Sequence, residues 1–264
     1  GRISPKSYGN YLKFKSFFTQ VFENVTLFCM QSEEDAARIK DIGATADKVR
    51  ITGNLKFDQK IPTAQLQPVS IAPGRKVITA GSTHRGEEAI LLEIYSRLRK
   101  KYPGLVLIIA PRHPERFDEV CGLITSAGYE CQRRTRIKGP VRDVVLLDTI
   151  GELRAFYGLC NIAFVGGSLV KVGGHNLLEP AAMKKPVIFS SYMFNFKEIS
   201  EALIQAGGGI MVKDKEELYG KLDNLLTDKE LAVSIGEKAF KVIAENSGAT
   251  ARTIDAVHGL IIGK

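Results

Sequence analysis

Between Lys76 and Asp214, six short apolar runs alternate with stretches of helical periodicity, and that alternation leaves few folds open. The runs are Val77–Ala80, Leu105–Ala110, Val144–Asp148, Ile162–Val165, Pro186–Ser190 and Ile210–Val212. Between the first two, Ile90, Leu91, Ile94 and Leu98 recur near a 3.6-residue spacing and predict a helix over Glu87–Lys101. Strands separated by helices predict an α/β fold with a doubly wound parallel sheet. After Asp214 only helices are expected, over Glu216–Leu226, Lys229–Glu245 and Ala249–Ile262.

The first sixty residues carry only two strand–helix steps, with strands expected near Leu27–Met30 and Val49–Thr52. They read as the tail of a first domain whose beginning is absent. A helix in this part bears Phe14, Phe17, Phe18, Val21 and Phe22, a stripe that packs on a sheet or faces a membrane beside Lys13 and Lys15. The polar, proline-bearing stretch Gln59–Pro68 reads as a linker. The expected division is 1–60 for the end of the first domain, 61–69 for the linker, 70–250 for the main domain and 251–264 for a C-terminal helix.

At 264 residues and 44% hydrophobic content, the chain is long enough for one large or two small cores. No apolar run approaches the roughly 18 residues that a membrane-spanning helix needs. The start, Gly1-Arg2-Ile3-Ser4-Pro5, has neither an apolar leader nor an initiator Met, and reads as a fragment or a processed chain. Cys29, Cys121, Cys131 and Cys160 are scattered without a CxxC, which favours a reduced cytosolic setting. A net charge of +8 favours anionic partners: nucleotide phosphates, nucleic acid or an acidic membrane surface. Nucleic acid is the weakest of these, because no basic run is interleaved with aromatics and there is no Trp. The densest basic cluster, Arg133, Arg134, Arg136 and Lys138, reads as a solvated loop or as a phosphate or membrane contact. Nothing in the sequence sets an oligomeric state.

Five polar segments each follow an expected strand: Gly81–Glu87, Pro111–Arg116, Asp148–Glu152, Gly166–Pro180 and Ser191–Phe196. In a parallel sheet all five gather outside the carboxyl ends of the strands, where open α/β folds bind ligands. The fourth is the richest. Its two glycine pairs let backbone approach a ligand, the helix start beyond offers N–H groups to a phosphate, and His175, Asn176 and Glu179 add polar side chains.

Several of these residues also have plainer roles. Asn176 and Glu179 fit a helix cap with its capping-box partner; alternatively Pro180 opens the helix and leaves the Glu179 carboxylate for ribose hydroxyls. Ser82 and Thr83 fit caps of the helix that begins at Glu87, and Glu152 fits a helix start. Arg112 is either a surface arginine or a phosphate or base contact. His84, His113 and His175 lack metal-ligand spacing, so no metal is expected. Neither a P-loop nor a GxGxxG fingerprint occurs.

Taken together, Gly81–Glu88, Pro111–Phe117, Asp148–Leu153 and Gly166–Pro180, with Gly53-Asn54-Leu55-Lys56-Phe57-Asp58 and Asn195-Phe196, resemble the 3-deoxy-D-manno-octulosonic acid (Kdo) transferases of lipopolysaccharide assembly. These are GT-B glycosyltransferases that use CMP-Kdo. The resemblance runs over nearly the whole chain and implies a Rossmann-like C-terminal domain preceded by the tail of a second one. It implies that Pro111 and Arg112 hold the cytidine end of CMP and that Ile150, Gly151 and Glu152 form a second wall. Asn176, Leu177, Leu178 and Glu179 would take ribose and phosphate, with Gly167 and Ser168 helping at the phosphate, and His175 and Arg112 would touch the Kdo carboxylate. No cofactor beyond the donor CMP-Kdo is implied.

The family's reaction is an inverting displacement onto a lipid A precursor (lipid IVA) at the cytoplasmic face of the bacterial inner membrane. Its catalytic base lies on a glycine-rich loop near the start of the full protein, and no segment here matches that loop. The resemblance therefore implies a CMP-binding half that is inactive alone. Two alternatives stay open: a UDP-using GT-B transferase or epimerase, and a non-catalytic nucleotide-binding domain.

Overall fold

A computed structural model describes residues 1–58 and 69–262, and the chain divides into two units. One joins Gly1–Lys60 with Ala244–Lys264, and the other is Ile61–Ile243. The linker expected over 61–69 lies, apart from Val69, outside the described residues.

In the first unit, strands β1 (Phe28–Met30) and β2 (Val49–Ile51) form a parallel pair. The helix Glu33–Ile42 connects them, capped by Ser32, whose hydroxyl accepts the Asp35 N–H at 3.1 Å. Met30, Ala36, Ile39, Ala44 and Val49 make a small core. The phenylalanine stripe is broken by a helix boundary at Phe14, between Pro5–Lys13 and Lys15–Glu23. Phe22 meets Phe28 edge-on at 5.0 Å, whereas Phe14 and Phe17 stay exposed, so only one side of the stripe packs.

The final helix, Ala249–Ile262, does not stand apart: Ala244–Lys264 clusters with the first sixty residues. Asp58 accounts for this attachment. Its carboxylate accepts the N–H groups of Thr250 and, at 2.6 Å, Gly248 at the helix start, and these donors hold its pKa below the usual range. Arg252 Nε donates to Thr52 O at 2.9 Å on the same surface.

The second unit holds β3 (Val77–Thr83), β4 (Val106–Pro111), β5 (Cys131–Arg133), β6 (Val144–Leu146), β7 (Ile162–Val165), β8 (Val187–Ser190) and β9 (Gly209–Val212). All seven are parallel, in the spatial order β5-β6-β4-β3-β7-β8-β9. Six coincide with the apolar runs. The seventh, β5, corrects the reading of the basic cluster as a loop: Arg133 ends an edge strand, where a polar composition is tolerated.

Strands β4, β6, β7 and β8 are buried throughout, as expected of a sheet covered on both faces. The helix Glu87–Lys101 buries Leu91, Ile94, Tyr95 and Leu98 against it, with the Tyr95 hydroxyl donating to Leu105 O at 3.0 Å. Each such buried aliphatic side chain contributes about 1.5–3 kcal/mol. Strand order reverses beside β3: the chain builds outward through β4, then returns to lay β7, β8 and β9 on the other side. The carboxyl ends of β3 and β7 therefore border the crevice where open α/β sheets bind ligands.

Candidate functional site

The end of β3 is irregular. Its register with β4 shifts between Gly81 and Thr83, and Ser82 between them has a φ of 55°, a left-handed conformation rare for a residue with a side chain. Ser82 and Thr83 thus complete a strand and do not cap the next helix, whose N-cap is Gly86. Backbone from β7 comes very close here. A Cβ at Gly166 would lie 2.6 Å from Ser82 O and 2.7 Å from Thr83 Cα, so only glycine fits.

Glu87 sits beneath the glycine loop and is completely buried. Its carboxylate accepts four backbone N–H groups: His84 at 2.9 Å, Gly167 at 2.7 Å, Ser168 at 3.1 Å and Leu169 at 2.9 Å. Burial raises its pKa, and these donors oppose the rise. The Ser168 hydroxyl donates to Val165 O at 2.7 Å, and its side chain has no exposed surface. Gly167 and Ser168 thus give these donors to Glu87 and Val165, the same groups that the expected phosphate contact would call on.

The other expected residues fall around the crevice. Pro111 is buried at the end of β4, while Arg112 is exposed, its N–H anchored on Thr83 O at 3.0 Å. Asn176 Nδ2 donates to Glu179 Oε1 at 3.2 Å, and Asn176 Oδ1 accepts the Leu178 N–H at 3.1 Å. The short helix Leu178–Ala182 has Leu177 as its N-cap, so neither arrangement read from the spacing is the one formed. Instead, Asn176 clamps both the backbone and Glu179. Burial raises the Glu179 pKa, while Asn176, Arg154 and Arg112 oppose the rise. The Leu177 and Leu178 side chains are buried and leave only backbone to a ligand.

Across the crevice Ile150 is 84% exposed, an unusual state for an isoleucine, and Gly151 beside it is also exposed. Glu152 is held from two sides: its carboxylate accepts Arg134 Nη2 at 2.9 Å and Thr149 Oγ1 at 2.5 Å. Arg134 thus joins the site from the stretch just after β5, although its sequence context pointed to solvent. The last polar segment packs on the glycine loop, with Tyr192 N–H donating to Ser168 O and Asn195 N–H to Gly173 O, both at 3.1 Å.

Two histidines outside the expected set, His84 and His113, stand beside the expected His175. His84 Nε2 lies 2.7 Å from His175 Nε2, with His113 edge-on to His84 at 5.2 Å. Burial pushes the His175 pKa down to about 4, and His84 is lowered for the same reason. Among the described residues, no group of three or more His, Cys, Asp or Glu is arranged to hold a metal ion. Arg112 bears electrostatically on His84, His175 and Glu179 alike.

Residues 1–59 match the model of the 3-deoxy-D-manno-octulosonic-acid transferase family, and residues 82–242 match that of glycosyl transferases group 1. A Kdo transferase from Haemophilus influenzae is 37% identical over 262 residues, 96% of this chain and 61% of that protein. One from Bordetella pertussis is 37% identical over 86% of this chain and 55% of its own length. This chain therefore spans a little over half the length of these two curated relatives. The C-terminal CMP-Kdo binding domain of WaaA from Acinetobacter baumannii superposes with a TM-score of 0.62 at 33% identity, covering 65% of this chain and 90% of that one. A UDP co-structure of Staphylococcus aureus MnaA shares the fold alone, at 15% identity and a TM-score of 0.58. The chain belongs to the group 1 glycosyl transferases, and its kin within them are the Kdo transferases.

Proposed function

We propose that this chain is the donor-binding part of a transferase that moves Kdo from CMP-Kdo to a lipid A precursor. The observation that carries the reading is the convergence of Arg112, His175, Asn176 and Glu179 at the β3/β7 crevice. In this reading Pro111 and Arg112 hold the cytidine end, and the exposed Ile150 and Gly151 form the facing wall with Glu152. Asn176 and Glu179 take the ribose and phosphate with the backbone of Leu177 and Leu178, and His175 and Arg112 stabilise the charge that CMP carries away. Glu179 can accept ribose hydroxyls because Asn176 engages only one of its oxygens.

The displacement is inverting and uses no cofactor beyond the donor. No residue of this chain is assigned as the base that activates the acceptor hydroxyl, and acceptor binding is assigned outside the second unit. The place of action is the cytoplasmic face of the inner membrane. Calorimetric titration with CMP tests the donor site: binding on the order of micromolar is expected, with UDP a poor competitor. Arg112→Ala and Glu179→Ala should each weaken binding about tenfold or more, equivalent to about 1.4 kcal/mol. Undiminished binding in both variants contradicts the site.

A further inference from the structure

The His84–His175 contact is not a stack. The ring planes differ by 5°, and their 5.0 Å centroid separation is what two ring radii and a 2.7 Å N···N contact add up to. The imidazoles therefore lie edge to edge in one plane, with an in-line hydrogen bond between their Nε2 atoms. Only one proton fits between those nitrogens. One ring donates its Nε2–H, the other accepts on a bare Nε2 and must carry its own proton on Nδ1. The pair at this distance holds at most one positive charge, and a metal ion, which sits about 2.0 Å from each imidazole nitrogen, has no room between them.

Among the described residues, the carboxylates nearest the pair each have a partner, although Glu88 also bears on His84 and Glu179 keeps one oxygen free. Glu88 is paired with Arg116 at 2.7 Å, Glu87 accepts the four backbone N–H groups, Glu115 faces His113 at 3.6 Å, and Glu179 is held by Asn176. The uncommitted influences are the Arg112 charge and His113, both of which disfavour protonation of His175. A phosphate or carboxylate entering the crevice would add a negative charge beside the pair.

We propose that His84 and His175 are a proton-accepting seat for the anionic part of the donor: the empty pair is neutral, and the ligand-filled pair carries one added proton. This rests on the donor-site reading above. When the anion enters, the bare Nδ1 of the donating ring takes a proton from the buffer. That ring becomes an imidazolium, while the Nε2–H···Nε2 bond to its partner is kept. Donor binding then consumes one proton, and it weakens as pH rises. A Cβ at Gly167 would lie 3.0 Å from the His175 ring, so the glycine loop fixes the ring against its partner.

The chain has four histidines, so their rings can be followed individually by NMR pH titration with and without saturating CMP, His258 serving as internal reference. The CMP phosphate is followed separately by its phosphorus signal. In the free chain both His84 and His175 should titrate below the usual value of about 6.5. With CMP, one of them should rise by at least about one unit, a tenfold gain in proton affinity, while His258 stays put. His175→Gln should abolish that rise and weaken CMP binding more at pH 6 than at pH 8. CMP that binds without moving either ring overturns the inference and leaves the donor-site reading standing. Absence of any CMP binding overturns both. If the variant does not fold, the titration of the unaltered chain decides alone.

Discussion

The two walls of the crevice are built in opposite ways. On the β7 side, the glycine loop gives its N–H groups to the buried carboxylate of Glu87, so the wall is knotted to the protein from within. On the β4 and β6 side, Arg112 and Ile150 stand exposed, with little of their side chains committed to the fold. The difference separates two properties that sequence motifs blur together. A glycine-rich loop after a strand looks like a phosphate cradle, yet here its glycines serve close packing. In the proposed site, the recognition chemistry comes from side chains on both walls, with the knotted loop holding His175, Asn176 and Glu179 in place.

The sharpest way to break this contrast is to cut the knot. Glu87→Ala strands four N–H groups, three of them from the glycine loop, at about 1–3 kcal/mol for each buried donor left unsatisfied. That sum is comparable to the whole stability of a domain, so the main unfolding transition in urea should be lost or shifted to very low denaturant. Gly166→Ala should have a smaller effect, about 1–3 kcal/mol of destabilisation, because its Cβ meets backbone atoms that cannot step aside.

The opposite wall should answer differently. Arg112→Ala is expected to leave the urea midpoint within about 0.5 kcal/mol of the parent while CMP affinity falls. A variant that lowered stability and affinity together would erase the contrast.

Much of the fold was legible in the sequence, because a parallel sheet buried on both faces writes its strands as plain apolar runs. Ile162–Val165 matches β7 residue for residue. The edge strand Cys131–Arg133 escaped notice because an edge position need not be apolar, and with it went the role of Arg134. The lateral order of strands is set by long-range packing, which no local period records. At the site, Arg112, Asn176 and Glu179 could be picked out as polar residues after strands. Glu87 could not, since an acidic residue at a helix start has an ordinary explanation in the helix dipole. His84 was visible only as a histidine without metal spacing; its pairing with His175 joins loops 91 positions apart.

The smallest effect concerns pH. The folded His175 pKa of about 4 lies below the unfolded value of about 6.5, so the unfolded chain binds more protons between them. The stability that His175 contributes is complete above about pH 6.5 and is lost as pH falls through about 4. Because the ring is only half-buried, solvent moderates the effect, and it should appear as a modest slope in urea midpoints across that window. His175→Gln should flatten the slope without moving the pH 8 midpoint by a comparable amount.

Amide hydrogen exchange at Gly167, Ser168 and Leu169, with and without CMP, tests the division of labour between the walls most directly. If Glu87 already holds these donors, the three amides are strongly protected in the free chain and CMP leaves their protection unchanged, even as it weakens on Arg112→Ala. Rapid exchange in the free chain, with protection gained only when CMP binds, would show that the glycine loop contacts the phosphate itself and would contradict the account.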